Sequence, residues 1–214
     1  MYQNILFDLD GTLTDSGPGI VNSIMYALQR FQIPVADRNE LNKFIGPPLI
    51  QSFQKFYGFT EEKANQGVSY FREYYTERGI RENSLYPGIE DALIRLKDHQ
   101  KHLFVATSKP EPYARQIIEY FHLDTYFDFV GGSTMDETRT AKADVIAYVL
   151  NRAGIRDSST VLMIGDREHD IYGARSTHIA SMGVLYGYGS LEELKKAGAD
   201  YIAETAADIP KIIL

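Results

Sequence analysis

Five short runs of this chain, at residues 4–9, 103–107, 127–131, 161–165 and 180–186, are mostly apolar with little alternation. A strand with one wet face alternates apolar and polar side chains, because successive residues point to opposite faces. A strand covered on both faces has no reason to alternate. The stretches between these runs carry helical spacing instead. Tyr113, Ile117, Ile118 and Phe121 fall on one helix face, and so do Ala143, Ile146, Ala147 and Leu150. Ser190-Leu191-Glu192-Glu193 has the form of a capping box opening a late helix. Strands buried on both faces and alternating with helices predict an α/β fold with a doubly wound, parallel, Rossmann-like sheet.

The alternation is broken once. Residues 16–83 show helical periodicity and no strand. Ile20, Ile24, Ala27, Leu28 and Phe31 form one stripe, and Val68, Phe71, Tyr74 and Tyr75 part of another. This segment reads as a helical cap domain, 16–83, inserted into an α/β core formed by 1–15 and 84–214, with hinges near 16–19 and 83–88. Gly46-Pro47-Pro48 breaks its middle, either as a rigid loop facing a ligand or as a turn between helices.

Composition narrows the function. At 214 residues, 44% hydrophobic and 12% aromatic, the chain can bury a sizeable core. A net charge of -7 argues against nucleic acid or an anionic membrane as partner, since both want a basic surface. The chain has no cysteine, which excludes disulfides, thiolate catalysis and cysteine-type zinc sites. There is no basic leader followed by an apolar run, and no apolar stretch of the roughly 20 residues that span a bilayer. The expectation is a cytoplasmic protein, monomeric or a weak homodimer, that acts on a small molecule.

In an open α/β sheet, ligands sit beyond the carboxyl ends of the strands. The first run ends Asp8-Leu9-Asp10-Gly11-Thr12. Two carboxylates there can hold a metal, and one of them can attack an electrophile; they reach the same side if the chain stays extended between them. Gly11 lets the backbone curl so that amides face an anion. The second run ends Thr107-Ser108-Lys109-Pro110, where a hydroxyl and the amides entering a helix suit a phosphate oxygen, a role compatible with simple helix capping. The fourth run ends Gly165-Asp166, with Asp170 four residues on; paired carboxylates suit oxygen-coordinated Mg²⁺. Lys142 opens a helix, where a cation is unfavourable unless another charge nearby compensates it. His169 reads as a surface or supporting residue. Lys43, Tyr75, Arg78 and Arg139 are candidates to touch a substrate, or are solvated surface residues.

Together these segments resemble the haloacid dehalogenase superfamily of hydrolases, over essentially the whole chain. The family's Asp-x-Asp-Gly-Thr stands as Asp8 to Thr12, its strand-closing hydroxyl as Thr107, its helix-opening lysine as Lys142, and its Gly-Asp-x-x-x-Asp as Gly165-Asp166 through Asp170. The helical insertion resembles a type-1 cap. Phe44-Ile45-Gly46-Pro47-Pro48-Leu49 and Leu185-Tyr186-Gly187-Tyr188-Gly189 are similar to the phosphoglycolate-phosphatase-like group. The resemblance implies a phosphatase of small phosphomonoesters, such as phosphoglycolate or nucleoside 5′-monophosphates. Asp8 would be nucleophile and Asp10 general acid and base. Asp8, the backbone carbonyl of Asp10, and Asp166 would hold Mg²⁺, with Asp170 orienting the metal's waters or Lys142. Gly11, Thr107, Ser108 and Lys142 would hold phosphate. Two other readings stay open: a sugar phosphomutase of the same superfamily, and a regulatory or binding protein that kept the fold without catalysis.

Overall fold

The computed structural model describes residues 2–136 and 138–214. Along the chain its elements are β1 (Asn4–Phe7), β2 (Thr14–Asp15), α1 (Gly17–Arg30), α2 (Leu49–Tyr57), α3 (Glu61–Glu77), β3 (Ser84–Leu85), α4 (Ile89–Asp98), β4 (His102–Pro110), α5 (Glu111–Tyr120), β5 (Phe129–Ser133), α6 (Lys142–Arg152), β6 (Val161–Gly165), α7 (Glu168–Ser176), β7 (Ala180–Val184), α8 (Leu191–Ala197), β8 (Tyr201–Ala203) and α9 (Asp208–Ile213). They fall into two compact units, Met1–Thr14 with Leu85–Leu214, and Asp15–Ser84.

The first unit is an α/β fold around a six-stranded sheet in the order β5-β4-β1-β6-β7-β8, parallel at every described pairing. From β1 the chain steps outward through β4 to β5. It then crosses to the other side of β1 and steps outward again through β6, β7 and β8. The strand order therefore reverses between β1 and β6, the point where such sheets open a crevice at their carboxyl ends. Phe7 lies opposite Val105 on one side and Ile164 on the other, so β1 ends level with both neighbours. The strands are buried as their composition predicts: Ile5, Leu6, Phe7, Leu103, Val105 and Val161 to Ile164 are fully covered. On one face Leu6, Phe104, Ala106 and Met163 pack against Val145, Ile146 and Val149 of α6 and Ala174 of α7. Each large apolar side chain so buried contributes about 1.5–3 kcal/mol.

The strands differ from the expected runs at their ends, β5 lying two residues later at Phe129–Ser133 and β7 stopping at Val184 rather than residue 186. β1 stops at Phe7, not residue 9, because the Leu9 carbonyl accepts from the amides of Thr12, Leu13 and Thr14 and curls the chain. β4 runs on to Pro110 through a shift in register between Ala106 and Pro110. β8 lies outside the expected runs, since its own apolar run is only Tyr201-Ile202-Ala203; these three residues pair with β7 from Met182↔Tyr201 onward. At Ser190 the side chain does cap α8 by accepting from the Glu193 amide, but the Glu193 carboxylate is used elsewhere, on Arg167 and the Glu168 amide.

The second unit is helical. Ile20, Ile24, Ala27 and Leu28 of α1 and Val68, Phe71 and Tyr75 of α3 are buried. A cluster of rings fills its middle, with Phe53 stacked on Phe59 at 5.5 Å and Phe31 edge-on to Phe59 at 5.0 Å. Gly46-Pro47-Pro48 leads into α2, where Pro48 is the N-cap. Tyr75 is a core residue, 1% exposed and stacked on Phe71. No helix among the described residues is long and apolar enough to cross a membrane.

Candidate active site

Beyond the carboxyl ends of β1 and β6 lie three buried carboxylates. Asp8 follows β1 directly, held by donation from its amide to the Ile164 carbonyl at 2.8 Å. Asp166 follows β6, and Asp170 sits in the first turn of α7. One oxygen of each lies within 4.8 Å of one from each of the others. Asp166 and Asp170 are 0% and 1% exposed.

Into this group reaches Lys142, the first residue of α6. Its Nζ donates to Asp8 Oδ1 at 2.7 Å and to the Ala106 carbonyl at 3.0 Å, and pairs with Asp170 Oδ1 at 2.8 Å. The unfavourable cation at a helix start is thus matched by two carboxylates and a carbonyl, and β1, β4 and α7 are tied together at one ammonium. Burial works to neutralise that ammonium, but Asp170 and Asp8 outweigh it and hold its pKa above the usual lysine range. Burial pushes the Asp8 carboxyl up to about 6, against the pull of Lys142. Burial also lifts Asp166 well above the usual carboxylate range, helped by the charges of Asp170 and Asp8. Lys142 pairs with two of the three carboxylates, Asp8 and Asp170, and the group's donors are all oxygens, which suits a hard divalent cation such as Mg²⁺. The donor set fits that ion.

Asp166 is fixed from two further directions. Its Oδ2 accepts from the Tyr188 amide at 2.8 Å, and its Oδ1 from the Thr12 hydroxyl at 3.4 Å. Gly11 is required beside it: its φ is +84°, and a Cβ there would lie 2.3 Å from Asp166 Oδ2. The Gly11 amide donates to the Thr14 carbonyl at 2.8 Å, so in this structure the glycine supplies a turn and clearance rather than an amide aimed at an anion. Asp170 Oδ2 accepts from the Arg167 amide at 3.1 Å, closing the entry to α7.

Asp10 goes elsewhere. With β1 already ended, the two aspartates do not share an extended segment, and the Asp10 carboxylate meets Lys109, whose Nζ donates to Oδ1 at 2.8 Å and Oδ2 at 2.7 Å. The Asp10 carboxylate is thus held by Lys109 and is not part of the three-carboxylate group. Thr107 is buried within β4, three residues before its end, with its hydroxyl accepting from the Lys109 amide at 3.2 Å, and Ser108 is half-buried beside it. Arg139 is committed to the protein. Its guanidinium donates twice to the Gly132 carbonyl, at 3.0 and 3.1 Å, and stacks 3.6 Å over Tyr148. His169 is exposed, as its sequence context suggests. Sequence reasoning missed Lys109 as the partner of Asp10 and the Tyr188 amide as a donor to Asp166. Both lie in segments it singled out, but an isolated lysine or a loop amide carries no signal of its own until the partner is seen.

The wider comparisons agree with this geometry. Residues 5–184 match the family model of haloacid dehalogenase-like hydrolases. A 5′-nucleotidase from Pseudomonas aeruginosa is 44% identical over 96% of this chain and 93% of its own length. Tyrosine-protein kinase PtkA from Mycobacterium tuberculosis is 36% identical over 95% of this chain and 69% of its own. The crystal structure of a predicted phosphatase from Clostridium acetobutylicum superposes with a TM-score of 0.96 at 48% identity, covering 100% of this chain and 98% of the other. With a family match across most of its length and the acids of that family gathered at the switch point of its sheet, the chain belongs to the haloacid dehalogenase-like hydrolases.

Proposed function

We propose that the protein is a Mg²⁺-dependent phosphatase that hydrolyses a small phosphomonoester through an aspartyl-phosphate on Asp8. The observation that carries this reading is the gathering of Asp8, Asp166 and Asp170 into one buried group, with Lys142 paired to Asp8 and Asp170. Nucleoside 5′-monophosphates are the first substrates to test, because the P. aeruginosa relative is named for that activity; phosphoglycolate is the second, from a 26% identical phosphatase of Vibrio parahaemolyticus.

Asp8, the Asp10 carbonyl and Asp166 would hold Mg²⁺, with Asp170 beside them. When bound, the ion supplies positive charge that lets an anionic nucleophile approach an anionic ester. Lys142 engages Asp8 Oδ1, which leaves Oδ2 to attack phosphorus. The P–O bond to the leaving alcohol breaks as the new Asp8–phosphorus bond forms, and Asp10 gives the departing oxygen a proton. Asp10 then takes a proton from water, whose oxygen attacks phosphorus and releases Asp8 and inorganic phosphate. Lys142, Thr107 and Ser108 would cradle the phosphoryl oxygens, where charge grows in the transition state. We assign substrate selection to the helical segment, residues 16–83, in the role of a cap.

Phosphate release with Mg²⁺, measured over phosphoglycolate, nucleoside 5′-monophosphates, sugar phosphates and phosphotyrosine, tests the reading with Asp8→Asn as blank. Free phosphate from the wild type and none from the variant is the expected result. An isomerised sugar phosphate with no free phosphate would mean a mutase instead, and silence across the panel a binding protein.

A further inference from the structure

We propose that Lys109 is a positioning residue for proton transfer: it holds the Asp10 side chain in the orientation from which its acid form protonates the leaving alcohol and its carboxylate form then takes the proton from water. The inference rests on the phosphatase reading above and concerns a residue to which the family motifs assign no part.

The geometry is specific. Lys109 reaches both oxygens of Asp10, at 2.7 and 2.8 Å, and the two side chains are only 6% and 11% exposed. With one ammonium centred on both oxygens, the direction in which the carboxylate faces is held by a charge-assisted contact rather than by a single hydrogen bond at one edge. Asp10 needs such help. It sits on the curled segment after β1, away from the ladder that holds Asp8.

The backbone is shaped to deliver this lysine. The register of β4 slips between Ala106 and Pro110, and slips of this kind re-aim side chains at sheet ends near active sites. The Thr107 hydroxyl accepts from the Lys109 amide and holds the turn. On the neighbouring strand Gly132 makes room for it: a Cβ there would lie 2.6 Å from the Lys109 carbonyl and 2.7 Å from the Glu111 amide. A buried lysine on a bulge that a neighbouring glycine must accommodate, ending on both oxygens of one carboxylate, is a placement that solvation does not explain.

The role predicts a leaving-group effect. An alkyl phosphate must receive a proton as its P–O bond breaks, whereas p-nitrophenyl phosphate expels a stable phenolate without one. The measurement is kcat/KM for both esters with Mg²⁺, in wild type, Lys109→Met, Lys109→Arg and Asp10→Asn. Asp10→Asn should lose far more on the alkyl ester. Lys109→Met should follow it, losing about tenfold or more on the alkyl ester beyond its loss on the aryl ester, within the range of general acid contributions. Lys109→Arg, which can restore the two-point contact, should recover most of that difference. Equal losses on both esters from Lys109→Met, or none, would overturn the proposal. Should that variant fail to fold, Lys109→Gln, which keeps a donor on the carboxylate, is read by the same ratio. If wild type hydrolyses neither ester, or Asp10→Asn shows no leaving-group effect, it is the phosphatase reading that fails.

Discussion

Lys142 and Asp8 stand 134 residues apart in sequence, and their side chains meet at 2.7 Å, both nearly buried. The contact joins the start of a helix to the end of the central strand. The same ammonium also meets Asp170 and the Ala106 carbonyl, so a single side chain ties together the ends of three elements. Removing it would leave two carboxylates buried without their cation, a loss of about 3–5 kcal/mol. Lys142→Met should therefore lower the melting temperature of the metal-free protein. It should also cut kcat at least about a hundredfold, as loss of a preorganised donor does. Added Mg²⁺ should recover part of the stability and little of the rate. Thermal unfolding with and without Mg²⁺, beside kcat, checks both halves.

The pH dependence follows from Asp8. In the unfolded chain it titrates near the ordinary aspartate value of 3.8; burial raises it to about 6 in the fold. The folded state thus prefers the protonated form. Stability of the metal-free protein should fall as pH rises from about 4 through about 6, and this contribution should then level off. Asp166, raised for the same reason, adds a fall in the same direction. Lys142 is raised too and adds a fall of the same sign, but only in strongly alkaline solution, above the window in question. A divalent cation removes the penalty on the carboxylates. The rise in melting temperature on adding Mg²⁺ should therefore be larger at pH 7.5 than at pH 5, and an equal rise at both would contradict the assignment.

Much of this site was legible before any coordinates. Asp8, Asp166, Asp170 and Lys142 lie where strand ends and helix starts must put them, and their residue types announce charge chemistry. What could not be read was set by backbone detail. Nothing in Asp8-Leu9-Asp10 shows that the strand stops before the first aspartate, because that depends on three amides converging on one carbonyl. Lys109 looked like one lysine among many, because its aim comes from a register slip in β4. β8 went unseen because its apolar run, Tyr201-Ile202-Ala203, is shorter than the roughly four to eight residues by which a strand is read from sequence. Arg139 and Tyr75 suggested substrate contacts by type, and packing decided otherwise.

Gly11 tests how tightly Asp166 is held. At φ +84° any side chain is strained by about 1–2 kcal/mol, and a Cβ would meet the Asp166 carboxylate at 2.3 Å. Gly11→Ala should destabilise the fold by at least that amount and displace Asp166. Its apparent affinity for Mg²⁺, read from the metal dependence of phosphate release, should weaken while the far-ultraviolet spectrum stays native. Unchanged metal affinity would show that Asp166 does not need this clearance.

Gln100 and His122 offer a stabilising change remote from the chemistry. Each follows a helix and is left-handed, at φ +59° and +56°. In each case the next residue's amide closes the helix end, Lys101 on Leu96 and Leu123 on Ile118. The left-handed conformation costs a side-chain-bearing residue about 1–2 kcal/mol, and the extra freedom of glycine in the unfolded chain returns about 0.5–1 kcal/mol of that. Gln100→Gly and His122→Gly should each stabilise by about 0.5–1 kcal/mol, a rise of about 1–4 °C in melting temperature for a chain of this size. The two sites share no partner, so the double variant should show the sum of the single effects. Phosphate release should be untouched, since neither residue meets the carboxylates or lysines of the site.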